Sequence, residues 1–322
     1  MFVNSIFLLK IWIFLVFLKI SSCQPIIDTG GQEDKPNTPD NPSTDETNTI
    51  PGYKFVWGDE FDGTALDETV WNIEEGGNGF GNNELQYYRR ENVTVGKEPV
   101  SGAKCLIITA KRENYGGRSF TSARINSRQK KAFKYGRFDA RIKLPKTANG
   151  LWPAFWMMGN DFSTVGWPRC GEIDILEMGH SDGIKAGTQE KYFNGACHWG
   201  FYKDMGGGNM AYPNYAKSST WSYSLQDGEF HLFTLVWDEQ YLRMYVDLDK
   251  NPNSKPYYEM GITDVSDDWG TGHYFHHDFF ILFNLAVGGN FPGIHDPNGI
   301  TALPANGQAS MYVDYIKVYE RQ

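Results

Sequence analysis

Three acids, Glu172, Asp174 and Glu177, fall within the stretch GEIDILEMG (171–179), among side chains that otherwise read as a buried strand. Strand side chains alternate between faces, so Glu172 and Asp174 point together while Ile173 and Ile175 point the other way. Glu177 lies five positions beyond Glu172 and should point into the core, where an unpaired carboxylate is costly. One extra residue, inserted as a β-bulge near Ile175 and Leu176, would return Glu177 to the face of the other two. The acids then form a row, Glu172 and Glu177 at its ends, suited to a wet groove across a sheet. Paired carboxylates flanking a scissile bond are the machinery of glycoside hydrolysis. A middle Asp174 would help to hold one Glu protonated, because like charges at short range raise a pKa. A calcium site and a solvated edge strand are the rival readings. The run lacks the Asp/Asn/Gly loop spacing of the first and is too apolar between its acids for the second.

Such a row needs a sheet to carry it. Short apolar or alternating runs recur along the chain between Gly, Pro, Asn and Asp, among them YKFVWGDEF, CLIITAKRE, YGRFDARIKL, LWPAFWMMG, FHLFTLVWD, DFFILFNLAVGG and SMYVDYIKVYE. No stretch holds a helical apolar face over three turns. The pattern predicts an all-β fold, a jelly-roll sandwich of two antiparallel sheets with a concave groove. Trp152 and Trp156 in LWPAFW share a strand face, and Trp167 in WPRC lies just upstream of the acids. Each offers a flat ring to a sugar and an N–H to a hydroxyl, although a core role is open for all three.

Composition narrows the ligands. The net charge is −9 with no basic block, which argues against nucleic acid. Ten Trp and 18 Tyr in an acidic chain favour sugar rings. After Cys23 only Cys105, Cys170 and Cys197 remain, an odd number with no zinc-like spacing, so no disulfide framework is indicated. Residues 1–22 carry the apolar run SIFLLKIWIFLVFLKI, broken by Lys10 and Lys19 and short for a spanning helix, which fits a cleaved export signal. A Pro-, Asp-, Asn- and Thr-rich linker runs from Cys23 to residue 51, and 52–322 is left as one domain.

GEIDILE resembles the E-x-D-x-x-E signature of glycoside hydrolase family 16, in the bulged form of its laminarinase-like members. The likeness extends through GDEFDG, GFGNNELQYY, FTSARINS, YGRFDARIKLP, GLWPAFWMMG, WPRCGEIDILE, NLAVGGNFPG and YVDYIKVYE. It implies a β-jelly-roll, endo-acting enzyme that retains anomeric configuration. By position it implies Glu172 as nucleophile, Asp174 as its electrostatic helper and Glu177 as general acid/base. It also implies sugar contacts from Asn83 and Glu84 in GNNE, Arg124 in SARIN, His198 in GACHW and Asn290 at the groove's edge. Relatives often carry Trp where this chain has Phe291. A structural Ca2+ held by Glu60 and Asp314 is implied as well, with no cofactor for catalysis.

The expected activity is hydrolysis of β-1,3- or mixed β-1,3/1,4-glucan by a monomer. Two alternatives stand beside it: cleavage of a galactan, as in agarases, porphyranases and carrageenases, and glycan binding without catalysis. The sequence Ile20-Ser21-Ser22-Cys23 resembles a bacterial lipobox, so Cys23 is expected to carry lipid and tether the domain to the cell envelope, at the outer membrane or cell surface, with no other membrane contact.

Overall fold

The computed structural model describes residues 50–322. The expected export signal, Cys23 and all but the last two residues of the expected linker lie outside them. The described chain forms two large sheets, and their pairings are antiparallel except where Gln86–Tyr88 runs beside Phe120–Ser122. The all-β jelly-roll sandwich predicted from the strand pattern is what the sequence builds.

The site sheet runs in the order Asn214–Thr220, Tyr192–His198, Glu172–Met178, Leu151–Gly159, Phe279–Val287, Arg124–Asn126 and Asn72–Glu74. The facing sheet is built around Gly136–Lys143, Gln308–Arg321 and Lys104–Lys111. Between the two lies the main core. Leu151, Phe155 and Met157 enter it from one strand, and Phe279, Ile281, Phe283, Leu285 and Val287 from its neighbour. Their alternate residues, Trp152, Ala154, Trp156 and Met158, with Phe280, Leu282 and Asn284, lie on the outer face. Every residue of both strands is buried. That explains sequences apolar on both faces, which strict alternation would not give. The outer face is thus the floor of a covered trough, and the three acids lie on it.

Helices are brief among the described residues: Phe162–Val165 and Ser181–Ala186 are the α-helical segments, each in a connection flanking Glu172–Met178. Cys105, Cys170 and Cys197 are free and buried.

Candidate active site

The bulge falls where the acid spacing requires it. Ala154 pairs with Glu177 and Phe155 with Leu176, but Trp156 pairs with Asp174, so the acid-bearing strand has one residue too many. On its other side Asp174 pairs with Ala196 and Glu177 with Asn194, leaving Gly195 alone opposite Ile175 and Leu176. Both of these apolar side chains are fully buried in the main core, and this is the driving force for the irregularity. Two adjacent residues face inward, and the next one returns to the groove.

A bulge frees backbone groups that must find partners. The Tyr257 hydroxyl donates a hydrogen bond to the Ile175 carbonyl. Gly195 makes room for it, since a Cβ there would lie 2.9 Å from both Met244 Sδ and Tyr257 Cε2.

Each terminal acid is held by an indole. Trp167 Nε1 donates to Glu172 Oε2 at 3.0 Å, and Trp152 Nε1 donates to Glu177 Oε1 at 3.0 Å. Between them Asp174 is 5% exposed, and its Oδ2 has no hydrogen-bond partner. His198 Nε2 lies 3.5 Å from it, on the strand position paired with Glu172. Burial pushes Glu172 up to about 7, against the pull of the Arg124 charge and the Trp167 N–H. Burial and the charge of Glu172 push Glu177 further, to about 8, against the Trp152 N–H. Asp174 is raised well above the usual carboxylate range by burial and then by Glu172 and Glu177. Burial lowers His198 to about 4, so its ring is neutral at pH 7. Both outer acids are held above the usual carboxylate range, and the charge of one disfavours ionisation of the other. One carboxylate beside one carboxylic acid is the state that acid-assisted displacement needs.

The other predicted residues divide. His198 lies beside the acids, and Trp167 forms a half-buried wall with Tyr212 packed edge-on at 4.9 Å. Trp152 and Trp156 line the floor, but their N–H groups are not offered to a ligand. Trp152 spends its own on Glu177 and stacks on Phe291 at 4.7 Å, so Phe291 supplies stacking here. Trp156 donates to Asn284 Oδ1 at 2.7 Å and lies under the Arg124 guanidinium at 4.7 Å. Glu84 needs correction as a sugar contact. It is 3% exposed and accepts from Gln86 and from the Tyr88 hydroxyl, so it braces the floor from beneath. Arg124 sits 3.1 Å from Glu74 and acts on Glu172 through charge. Asn83 and Asn290 are exposed and bonded to each other at 3.0 Å. Asn83 also lines a cavity of about 390 Å3 with Asn78, Leu85, Arg118 and His295.

Glu60 and Asp314, expected to hold a calcium ion, are each paired with a basic side chain. Lys317 holds Glu60 at 2.8 Å and Arg141 holds Asp314 at 2.5 Å, and neither belongs, among the described residues, to a cluster of three converging His, Cys, Asp or Glu side chains. Each acid is already neutralised by a cation, where a calcium cage needs several free oxygens.

Sequence reasoning missed Tyr212 and Asn284. Asn284 left a signal, as the lone polar residue in FFILFNLAV. Tyr212 left none, because only the fold brings its hydroxyl to 3.3 Å from His198 Nδ1.

Comparison with known proteins agrees with this geometry. The family described as glycosyl hydrolases family 16 matches residues 86–260. The β-glucanase of Rhodothermus marinus is 34% identical over 289 residues, covering 86% of this chain and 88% of that protein. A Bacteroides ovatus family 16 enzyme of a mixed-linkage glucan locus, solved with a G4G4G3G product, is 42% identical with a TM-score of 0.69, covering 81% of this chain and 99% of that one. The laminarinase catalytic domain of Thermotoga maritima is 33% identical with a TM-score of 0.66, covering 84% and 99%. Some relatives are much longer: the chain spans 34% of the clotting factor G alpha subunit of Tachypleus tridentatus, at 33% identity. With a matched profile, near-complete coverage of several relatives and a shared jelly-roll, the chain belongs to glycosyl hydrolases family 16 and is a glycoside hydrolase.

Proposed function

We propose that this enzyme is a retaining endo-β-glucanase acting on mixed β-1,3/1,4- or β-1,3-glucan through a covalent glycosyl-enzyme. The observation that carries this reading is the row of three acids on one face of a bulged strand, its end members fixed by indole N–H groups. Glu172, as a carboxylate, attacks the anomeric carbon from one face of the sugar. Glu177 gives its proton to the departing glycosidic oxygen. Glu177, now a carboxylate, then takes a proton from the water that cleaves the Glu172 ester. Asp174 lies between them, itself held in its protonated form by burial and by the two Glu charges. No cofactor enters either step, and all three acids come from one strand of one chain, so a monomer suffices. A structural Ca2+ would have to displace Lys317 and Arg141 and has no part in this reading.

The glucan assignment rests on the names of the relatives, a β-glucanase, a laminarinase and a mixed-linkage glucan enzyme. A galactan substrate is not favoured. Measured under one set of conditions, laminarin and barley mixed-linkage glucan should be cut at least roughly a hundredfold faster than agarose or carrageenan, and against carrageenan the acidic chain adds charge repulsion of sulfate. Preference for a galactan would overturn the substrate and leave the two-step chemistry standing. The lipobox-like ending supports export and anchoring through Cys23. Cys23→Ala should then release the enzyme from the membrane fraction at unchanged specific activity, and a wild-type protein that is already soluble contradicts the anchor.

A further inference from the structure

We propose that Glu172, Asp174 and His198 form a Zn2+ site at the bottom of the groove, so that a transition-metal cation and the polysaccharide compete for it. One ligand atom from each of the three lies within 4.8 Å of the others, and no other three His, Cys, Asp or Glu side chains converge this way among the described residues. Convergence of acids alone would carry little weight, but a second feature points to a ligand. Asp174 Oδ2 is buried without a hydrogen-bond partner and faces His198 Nε2 at 3.5 Å. With zinc bonds of about 2.0–2.2 Å, neighbouring ligands of a tetrahedral ion stand about 3.3–3.6 Å apart, so this pair already has the required separation. The third ligand, on Glu172, lies within 4.8 Å of the other two. Glu172 accepts the Trp167 N–H on Oε2, which leaves Oε1 available.

The surroundings suit the imidazole as a ligand. The Tyr212 hydroxyl lies 3.3 Å from His198 Nδ1 and holds the ring with Nε2 toward Asp174, the outer-shell arrangement found behind metal-bound histidines. One nitrogen and two carboxylates with the fourth position open to the groove match zinc or copper. Calcium and magnesium prefer more oxygens and avoid imidazole. A cation here would bridge Asp174 to Glu172 and engage the carboxylate proposed as nucleophile. Binding of the metal does not depend on the proposed function, but the inhibition it predicts does.

The test is calorimetric titration of the purified chain with Zn2+ in a non-coordinating buffer. Wild type should bind one Zn2+ per chain at this site. His198→Gln and Asp174→Asn should each weaken that binding at least about tenfold, while His295→Ala, at a separate surface position, should not. Circular dichroism and thermal melting of each variant separate loss of ligand from loss of fold. With mixed-linkage glucan as substrate, Zn2+ should raise the apparent KM without lowering kcat, reversibly with EDTA, and Ca2+ at equal concentration should not. Zinc binding that is absent, or that persists unchanged in both variants, overturns the site. If binding and its loss in the variants are seen but no glucan is cleaved, the proposed function fails while the metal site stands.

Discussion

At Glu172 and Glu177 the same chemical group is given two tasks; Arg124 pulls on the first, the charge of Glu172 pushes on the second, and each accepts one indole hydrogen bond. Each indole N–H stabilises the ionised form of the acid it touches, so each holds that acid's pKa lower than burial alone would leave it. Removing the donor raises the pKa. Trp167→Phe should therefore move the acidic limb of kcat/KM, set by ionisation of Glu172 near 7 in the free enzyme, to higher pH. Trp152→Phe should move the alkaline limb, set by Glu177 near 8, also to higher pH. A pH profile for each variant checks this limb by limb. If Trp152→Phe shifts the acidic limb instead, the roles of the two acids are exchanged. His198 and Asp174 show the complementary case, a buried carboxylate oxygen without a hydrogen-bond partner 3.5 Å from an imidazole nitrogen, the pair that the proposed cation would join.

The bulged strand is the element that makes the row possible. Its register shift depends on Ile175 and Leu176 both preferring the core, and on Gly195 and Tyr257 accommodating the carbonyl that the shift leaves unpaired. Tyr257→Phe strands a buried acceptor, so it should cost about 1–3 kcal/mol of stability by denaturant unfolding. It should also lower kcat well beyond what the lost stability explains, because Glu177 follows directly from the bulge. A variant with wild-type kcat would show that the Tyr257 contact does not position the acid. The odd spacing of three acids in an apolar run made the bulge legible in the sequence, and the strand pattern with its turn residues made the sandwich legible. The partners were not. Glu84 reads as a groove residue from its loop, yet Tyr88 and Gln86 draw it inward. Trp152 and Trp156 read as sugar platforms, yet their N–H groups are taken by Glu177 and by Asn284 across the strand pair. Only the Trp156–Asn284 contact spans more than a hundred positions; the others are closer in sequence, but it is strand pairing and burial that turn these side chains toward one another, and no residue pattern encodes that.

For the whole molecule, the sandwich buries the inner face of the site sheet so thoroughly that its strands cannot slide, and the trough floor inherits that rigidity. Holding acids there has a thermodynamic cost. Glu177 is raised to about 8 in the folded chain, whereas an unfolded Glu titrates near ~4.3. The folded state thus binds more protons between those values, and stability falls as pH rises from about 4 to 8. Glu177→Gln removes this titration, so its melting temperature should exceed that of wild type by a margin that grows across the window and levels off above 8. Equal melting temperatures at pH 8 would mean that the carboxylate is not destabilised by burial. The central claim, a covalent intermediate on Glu172, is tested most directly by trapping. A β-glucan oligosaccharide carrying fluorine at C2 and a dinitrophenyl leaving group at C1 should form the ester readily and hydrolyse slowly. Mass spectrometry of the intact protein should then show one added glycosyl unit, and peptide mapping should locate it on Glu172. An adduct on Glu177, or turnover to an inverted product with no adduct, would contradict the mechanism.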